Sequence, residues 1–563
     1  MSVEALTLES LGIGGHPLIQ PLVQRLRLRE LLTEALGPLD RRLKLDPVDS
    51  LLLLVRNFTL SRHPLYGVPE WVRSFDPVQL ELTPERVDLV NDDRLGRALD
   101  RLFAADPRTL TTRMVVHMVE EFGLDLSRCH QDSTSVTFSG VYKEPPPRAD
   151  GRRRLRIVHG HNKDHRPDLK QLVWSLTVSA DGAVPIHYNV YDGNVTDDQL
   201  HIDTWEALRR VVGGPDFIYV ADCKLCTRDN MAHLDRCGGR FITALPRTRK
   251  EDARFKAYLV DHAVDWNLIW ERPPRRRKGD APERYEAVEA PEPTVEGYRL
   301  VWYRSSDKWQ RDQQHRDQAI QSARQEIQRL RERVGRRTLK TEAQVRAAAE
   351  SILDDTGTRD WVRVEIVPRQ EHVHRQVGPG RPGRHTRYVR ETTTVHEPVA
   401  VLDEARIRAA AVTDGIFPLV TNMAGEEMPP LELLRIYKYQ PFVEKRHEQL
   451  KTAAEVVPVN YKSVERIEAF LFLYFLAQTM HALIERQVRR AMKKRDLRSI
   501  PLYPEERECR APTADKILDL FEPLRRHRLF DGTEQVRTFW DPLSDVQCQV
   551  LDLLEVPTAA YGQ

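Results

Sequence analysis

The sequence is poor in cysteine and in long hydrophobic runs, and its first residues do not have the pattern expected of a leader segment. Six cysteines in 563 residues are too few for a disulfide scaffold, which fits the reducing cytoplasm. The longest uninterrupted apolar run, 469–477, is much shorter than the roughly 20 residues that a membrane-spanning helix needs. The first residues carry no basic segment followed by an apolar core, so no secretory signal is predicted. We therefore expect no membrane association.

What is present is a chain with enough apolar residues for ordinary cores and many charges on its surface. Hydrophobic residues make up 40% and charged residues 30% of the sequence, which argues against a disordered protein. Because 86 basic residues face 84 acidic ones, the formal net charge is only +2. Any case for nucleic-acid binding must therefore come from local basic patches.

The hydrophobic pattern divides the chain into five segments. Amphipathic periodicity over 1–123 predicts a helical module, which is either a DNA-binding module or an ordinary small helical domain. Over 124–245 the period changes to two, with three strands in a row and then strands alternating with helices. Charged helices and a Gly-rich loop over 246–413 indicate an inserted domain. Segment 414–500 is predicted to complete the core that begins at 124–245, and 501–563 is predicted to be a helical tail. The fold class is α/β, a mixed sheet covered by helices.

Two aspartates on the predicted sheet are candidates for a metal-binding site. Asp132 lies in mid-strand, where an unpaired carboxylate is costly unless a cation or hydrogen bonds compensate it. Asp222 closes the apolar run 217–221, and the ends of such strands are where open α/β sheets place their sites. Mg²⁺ prefers oxygen ligands of this kind. With 84 acidic residues in the chain, chance pairing is the alternative.

A third acid lies on a predicted helix over 431–454. Tyr437, Gln440, Glu444 and Lys451 follow one another at offsets of 0, 3, 7 and 14. At about 100° per residue, these offsets place all four on one helix face. Glu444 would complete a site of three carboxylates, and Lys451 would hold a phosphate.

The motifs around these residues resemble the DDE transposases of bacterial insertion sequences. They are Gln131-Asp132-Ser133-Thr134, the segment 160–171, Gly193-Asn194, Val220-Ala221-Asp222 and the Tyr-x2-Gln-x3-Glu-x6-Lys series. The similar groups are IS-four and IS-sixteen-thirty-four, whose signature reads Tyr-x2-Arg-x3-Glu-x6-Lys. Gln440 stands in the place of the arginine, a departure that would weaken one phosphate contact and leave the acids intact.

The resemblance implies a ribonuclease H-like core in which Asp132, Asp222 and Glu444 are catalytic and bind two Mg²⁺ ions, for which Mn²⁺ can substitute. Such a site would cut an element at its terminal inverted repeats and join the ends to target DNA by in-line displacement at phosphorus. The partners would be DNA and, in the DNA complex, a second copy of the chain. The expected location is the bacterial cytoplasm, on the nucleoid. Two alternatives stay open, a DNA-binding protein without catalysis and a nuclease that does not join strands.

A cationic loop is expected to lie over the DNA backbone beside the acids. The residues predicted to contact DNA are Lys163, His165, Arg166 and Lys170 of this loop, together with Tyr437, Gln440 and Lys451. With His159 and His161 the loop also resembles a zinc site, but it lacks a well-spaced fourth ligand.

The remaining motifs carry weaker signals. Cys223 and Cys226 form a lone CxxC, which we interpret as two ordinary small residues at a helix start. The segment 380–384 resembles minor-groove-binding arms, and a hairpin tip is the alternative. The basic runs 275–278 and 489–498 are either phosphate contacts or solvated charges.

Overall fold

A computed structural model describes residues 6–38, 40, 42–142, 154–164, 166–273, 281–335, 339–456 and 463–563. The chain forms two units. The first unit consists of the described residues up to Thr243 and from Glu432 onward, and the second unit is Ala244–Leu431. The predicted insertion, 246–413, lies within the second unit, and so does the segment 414–431.

The first part of the first unit is mainly helical. Its elements are β1 (Leu6–Gly12), α1 (His16–Arg25), α2 (Leu28–Leu36), α3 (Pro47–Leu60), α4 (Val68–Arg73), α5 (Pro84–Val87), α6 (Asp92–Ala104) and α7 (Pro107–Phe122). Side-chain caps set two of the helix starts, because Asp46 and Asn91 accept hydrogen bonds from the first-turn amides of α3 and α6. The prediction of a purely helical module is wrong at β1.

A five-stranded sheet follows in the first unit. Its elements are β2 (Arg128–Phe138), β3 (Lys170–Ser179), β4 (Pro185–Asp192), α8 (His201–Val212), β5 (Ile218–Val220), α9 (Arg228–Arg236) and β6 (Arg240–Ala244). The strand order is β4-β3-β2-β5-β6. Strands β2, β3 and β4 are antiparallel, whereas β5 runs parallel to β2, and β6 runs parallel to β5. This mixed order is that of a ribonuclease H-like fold, as the sequence predicts.

The second unit contains a four-stranded sheet and a two-stranded ribbon. Its elements are α10 (Lys250–Asp261), β7 (Asn267–Arg272), β8 (Glu283–Glu289), β9 (Arg299–Ser305), α11 (Ser306–Arg331), α12 (Glu342–Asp355), β10 (Val362–Gln376), β11 (Tyr388–Leu402), α13 (Glu404–Val412) and β12 (Ile416–Thr421). The sheet has the antiparallel order β12-β9-β8-β7. Strands β10 and β11 pair with each other, so segment 380–384 lies at a hairpin tip.

The last part of the first unit mixes helices and strands. Its elements are α14 (Pro430–Tyr437), α15 (Pro441–Val456), α16 (Val464–Lys494), β13 (Ile500–Tyr503), β14 (Arg507–Cys509), α17 (Ala514–Phe521), β15 (Arg525–Asp531), β16 (Glu534–Trp540) and α18 (Asp545–Leu554). The prediction of a helical tail is therefore wrong. Strand β15 lies between β1 and β16 and supplies hydrogen-bond partners to the backbone groups of both strands.

Helix α16 forms the centre of the first unit. It packs against α3, α6 and α18, and its apolar segment 469–477 is buried throughout. In length and hydropathy α16 passes for a membrane-spanning helix, yet 94% of its most apolar stretch is buried inside the protein. A helix that is apolar on all sides belongs in a core, which confirms the prediction for this segment.

Candidate active site

The three predicted acids lie on three elements of the first unit. Asp132 is on β2, Asp222 is the second residue after β5, and Glu444 is in the first turn of α15. Strand β5 is the parallel neighbour of β2, and α15 packs against β2. The fold therefore brings together three segments that are far apart in the sequence.

Charge interactions link the three acids to one another. Burial raises the pKa of Asp132 above its ordinary value. Burial also raises the pKa of Asp222 and of Glu444, and the negative charge of Asp132 adds to the increase at both. Each acid therefore carries charge that its surroundings compensate only in part.

The pKa of the Tyr437 hydroxyl is affected by all three acids. Burial raises its pKa, and the negative charges of Asp222, Glu444 and Asp132 raise it further. Because an opposite or like charge shifts a pKa only from nearby, the acids are neighbours of this tyrosine. The sequence predicted the three acids as one site and placed Tyr437 on the same helix face as Glu444.

The acids are nevertheless more widely spaced than the ligands of a single ion. Within the described ranges, Glu206, His233 and Cys237 are the only group of three or more acidic, histidine or cysteine side chains whose ligand atoms all lie within 4.8 Å of one another. The oxygens of Asp132, Asp222 and Glu444 therefore spread over a larger volume.

Lys163 is a cation that lies directly against this acidic group. Its Nζ is 3.0 Å from Oδ2 of Asp197 and 3.9 Å from Oδ1 of Asp132, and it donates to the backbone oxygen of Ser133 at 2.5 Å. The Ser133 hydroxyl donates to Asp197 at 2.6 Å. Burial alone would lower the pKa of Lys163, but Asp132 and Asp197 outweigh it and raise that pKa. Here Lys163 neutralises acids instead of facing solvent.

Sequence reasoning missed Asp197 and His447 as members of this site. Burial would raise the pKa of Asp197, but Lys163 and the Ser133 hydroxyl lower it below its ordinary value. Asp197 is therefore a carboxylate that partners Lys163. Its signal in the sequence was its position three residues after the Gly193-Asn194 motif.

His447 is buried on α15, with Nε2 3.6 Å from Oδ2 of Asp132. Neither ring nitrogen has a hydrogen-bond partner of ordinary geometry. Burial, helped by the charge of Lys163, lowers the pKa of His447 to about 3, so the ring is neutral. Its signal was the spacing of three residues from Glu444, which makes the two side chains neighbours on a helix.

The single helix predicted over 431–454 is in fact two helices. Helix α14 ends at Tyr437 and α15 begins at Pro441. Proline has no amide hydrogen and a fixed φ, so it suits the first position of a helix and interrupts a continuous one. The prediction that one straight helix face carries all four signature residues is therefore wrong.

Gln440 lies in the turn between these helices and is buried. Its Nε2 donates to the backbone oxygen of Gln131 at 2.6 Å, and its Oε1 is 3.2 Å from Nδ1 of His130. Gln440 therefore fastens the start of α15 to β2 beside Asp132. Its predicted contact with DNA has no support in this arrangement.

The other predicted DNA contacts have partners within the protein. Lys451 forms an ion pair with Asp164, and exposed Arg166 pairs with Asp168 through two nitrogens, at 2.8 and 2.7 Å. Lys170 donates to the backbone oxygen of Tyr142 at 2.7 Å. His165 and the basic run 275–278 lie outside the described residues, and His159 and His161 are exposed.

Comparison with protein families decides the affiliation of the chain. The family described as "Transposase DDE domain" matches residues 132–480, more than half of the sequence. The chain belongs to the DDE transposase family. A domain of unknown function, DUF4277, matches residues 8–116 of this transposase, which is most of its helical module. No curated protein matches it.

Solved structures similar to this DDE transposase are themselves transposase complexes. A cryo-EM structure of the piggyBac transposase synaptic complex with hairpin DNA is 11% identical, with a TM-score of 0.25, over 52% of this chain and 57% of that one. A Mos1 transposase paired-end complex with the left transposon end is 14% identical, with a TM-score of 0.14, over 36% of this chain and 60% of that one. A pre-cleavage Mos1 transpososome is 13% identical, with the same TM-score and coverage. The chain thus spans less than two thirds of each matched structure.

Proposed function

We propose that this DDE transposase binds the terminal inverted repeats of its own element, cleaves the element's ends and transfers the strands to target DNA. The observation that carries the proposal is the convergence of Asp132, Asp222 and Glu444 on Tyr437. All four residues fall within the region that matches the transposase domain. The activity would be exerted in the bacterial cytoplasm, on the nucleoid.

The acidic group has the donor chemistry that divalent cations need. The pKa values of Asp132, Asp222 and Glu444 are raised by burial first and by neighbouring acids second, and a bound cation would offset both effects. All three donors are carboxylate oxygens, which Mg²⁺ prefers, and in two-metal sites the ions lie about 3.5–4 Å apart. We therefore assign these acids as ligands of two Mg²⁺ ions, which Mn²⁺ can replace. Bound ions of this kind supply Lewis-acid activation of a phosphodiester and of the attacking hydroxyl.

Residues around the acids hold them in place. Gln440 ties the start of α15 to β2 through the backbone of Gln131, which keeps Glu444 near Asp132. Lys163 ties its loop to β2 through Ser133. Because these contacts bring two distant segments onto one strand, they fix the acids before DNA arrives, as preorganised catalysis requires.

Hydrogen-bond donors near the acids would bind the DNA backbone. Tyr437 has a raised pKa, so its hydroxyl stays protonated at neutral pH and can donate to a phosphate oxygen. Lys451, Arg166 and Lys170 would bind phosphates after leaving the internal partners described above. A phosphate is an anionic acceptor, so Lys451 and Arg166 would exchange one anionic partner for another, and Lys170 would gain an anionic partner in place of a neutral backbone oxygen.

The experiment uses DNA fragments that carry the sequences flanking the gene, labelled at one end, with Mg²⁺. Asp132→Asn, Asp222→Asn and Glu444→Gln preserve side-chain shape and remove the charge. We expect each to abolish cleavage and joining while DNA binding remains. Glu70→Gln is the matched control, because Glu70 is an exposed carboxylate on α4, whereas the charge of Glu448 acts on Glu444.

The result also separates the possible activities. If the intact protein binds the ends and never cuts them, the chain is a DNA-binding protein without catalysis. If it cuts without joining, it is a nuclease. Cleavage that survives all three acid substitutions would refute the assignment of the site.

The partners in this proposal are the element's ends, the target DNA and a second copy of the chain. Two ends must be processed together, so at least two copies are expected in the DNA complex. Native mass measurement of the protein on paired end fragments tests this expectation. A stable, active complex containing one copy on paired ends would contradict it.

A further inference from the structure

A second group of metal-ligating side chains lies between α8 and α9, away from the acids. Oε1 of Glu206 is 3.0 Å from Nε2 of His233, and Sγ of Cys237 is 3.9 Å from the same nitrogen. The three ligand atoms all lie within 4.8 Å of one another. We propose that Glu206, His233 and Cys237 bind one Zn²⁺ ion, with a water molecule in the fourth position.

The fold places the three side chains together through helix geometry. His233 is in the last turn of α9, and Cys237 is its C-cap, whose backbone N–H donates to the oxygen of His233 at 3.1 Å. Residues four apart on a helix share one face, so both side chains point the same way. Glu206 faces them from α8, which packs against α9.

The observed spacing is close to what tetrahedral zinc requires. Zinc lies about 2.0–2.2 Å from nitrogen or oxygen and about 2.3 Å from sulfur. In a tetrahedron these bond lengths put neighbouring ligand atoms about 3.3–3.7 Å apart. The nitrogen–oxygen separation of 3.0 Å and the nitrogen–sulfur separation of 3.9 Å bracket that range, so small side-chain movements admit the ion.

Neighbouring residues already orient the donors. Arg209 holds the other oxygen of Glu206 at 3.0 Å, which leaves Oε1 directed at His233. The ring of Trp205 meets His233 edge-on, with centroids 6.0 Å apart. Trp205 also packs so closely on Gly239 that a Cβ there would lie 2.7 Å from its ring. Metal-ligating carboxylates are typically held by such a second hydrogen bond, which Arg209 supplies to Glu206.

The chemistry of the group favours zinc over Mg²⁺. A thiolate and an imidazole are soft or intermediate ligands, which select zinc, whereas Mg²⁺ takes oxygen donors. All three side chains are partly exposed, so an ion and its water can enter. Helices α8 and α9 precede and follow β5 in the chain, and the ion would fasten them to each other.

The test uses the full-length protein, stripped with a chelator and titrated with Co²⁺ as a spectroscopic probe for zinc. We expect one equivalent of Co²⁺ to give a thiolate-to-metal charge-transfer band that added Zn²⁺ removes. Cys237→Ser should abolish the band. Cys548→Ser is the matched control, since Cys548 is a partly exposed cysteine on α18, and it should leave the band unchanged.

Two further variants separate the proposed zinc site from the acidic group and provide a substitute if Cys237→Ser does not fold. Asp132→Asn should retain the band, because oxygen ligands alone give no thiolate transition, and this separates the zinc group from the proposed catalytic ions. If Cys237→Ser fails to fold, Glu206→Gln serves instead and should weaken Co²⁺ binding at least tenfold. The absence of a thiolate band in the intact protein, or its persistence in folded Cys237→Ser, would overturn the proposal and leave Glu206 and His233 as a simple ion pair.

Discussion

The buried ion pair between α15 and α16 leads to a quantitative prediction for the stability of the candidate active site. Nη2 of Arg446 lies 3.0 Å from Oε2 of Glu485, and the two side chains are 5% and 6% exposed. Glu485 also accepts the backbone N–H of Ala514 at 3.1 Å. Because Arg446 is two residues after Glu444, this pair anchors the helix that carries the third acid.

Glu485→Gln removes the charge and keeps an oxygen acceptor for Ala514. The guanidinium of Arg446 then stays buried without its ionic partner. Removing one partner of a buried ion pair lowers the free energy of unfolding by about 3–5 kcal/mol. Because glutamine keeps the acceptor for Ala514, we expect a loss near the lower end of that range. Replacing both partners, as Arg446→Met with Glu485→Gln, should recover much of the loss, because the buried guanidinium is removed. Arg489, the second ionic partner of Glu485 at 3.4 Å, is 30% exposed and keeps contact with water.

Hydrogen–deuterium exchange of peptides from α16 is the appropriate assay, since it reports the opening free energy of this region alone. A loss of about 3 kcal/mol corresponds to exchange roughly 150-fold faster, at 1.36 kcal/mol per factor of ten. The control is Glu34→Gln, which breaks the half-exposed pair with Arg113 and should change protection little. Unchanged exchange in Glu485→Gln, or a double variant less stable than either single one, would refute the reasoning.

Three further predictions concern the acids and the DNA. Asp132→Asn should raise the thermal midpoint of the chelator-treated protein at neutral pH. Because the pKa of Asp132 is raised in the folded state, its negative charge lowers the stability of the fold at pH values above the ordinary aspartate pKa of about 3.9. The gain in thermal midpoint should therefore vanish below that pH. Tyr437→Phe should slow end cleavage about tenfold or more, the worth of a hydrogen bond to a charged group, with an unchanged thermal midpoint. End-binding affinity, measured by anisotropy, should fall about a thousandfold between roughly 50 and 200 mM salt if about six cations contact phosphates; a flat salt dependence would contradict this.

Local pattern was sufficient to predict the sheet of the first unit. Alternating residues marked β2, β3 and β4, and Asp181-Gly182 marked the turn between the last two, where Gly182 has a φ of +90° that favours glycine. An apolar run marked β5, because a central parallel strand is buried on both faces. These signals depend only on neighbours in the sequence.

Pairing between distant segments was not predictable in the same way. Leu6 and Leu8 of strand β1 are exposed, and the strand pairs with β15, which is far away in the sequence. The residues around β1 therefore do not predict a strand. The break between α14 and α15 was signalled by Pro441, but the spacing of the signature residues suggested one continuous helix. Periodicity alone cannot show where a helix ends and restarts.

The three acids of the candidate site were chosen by motif, and their convergence is a matter of tertiary structure. Lys163 was expected to face DNA, yet it lies between Asp132 and Asp197 because an acidic group in a partly buried site needs a nearby cation. Asp197 and His447 were missed because each has an ordinary role when considered locally, one as a helix-start residue and the other as a core histidine. Only the folded arrangement shows that they meet Asp132.

The pairing of β1 with β15 has a consequence for how the protein is made. Ser10 on β1 bonds to His527 on β15, 517 positions later. At a synthesis rate of about 5–20 residues per second, β1 leaves the ribosome roughly 25–100 s before its partner exists. During that interval the nascent chain displays an open β-edge, which is prone to pairing with other chains. The sheet that contains β1 can therefore form only after β15 has been synthesised.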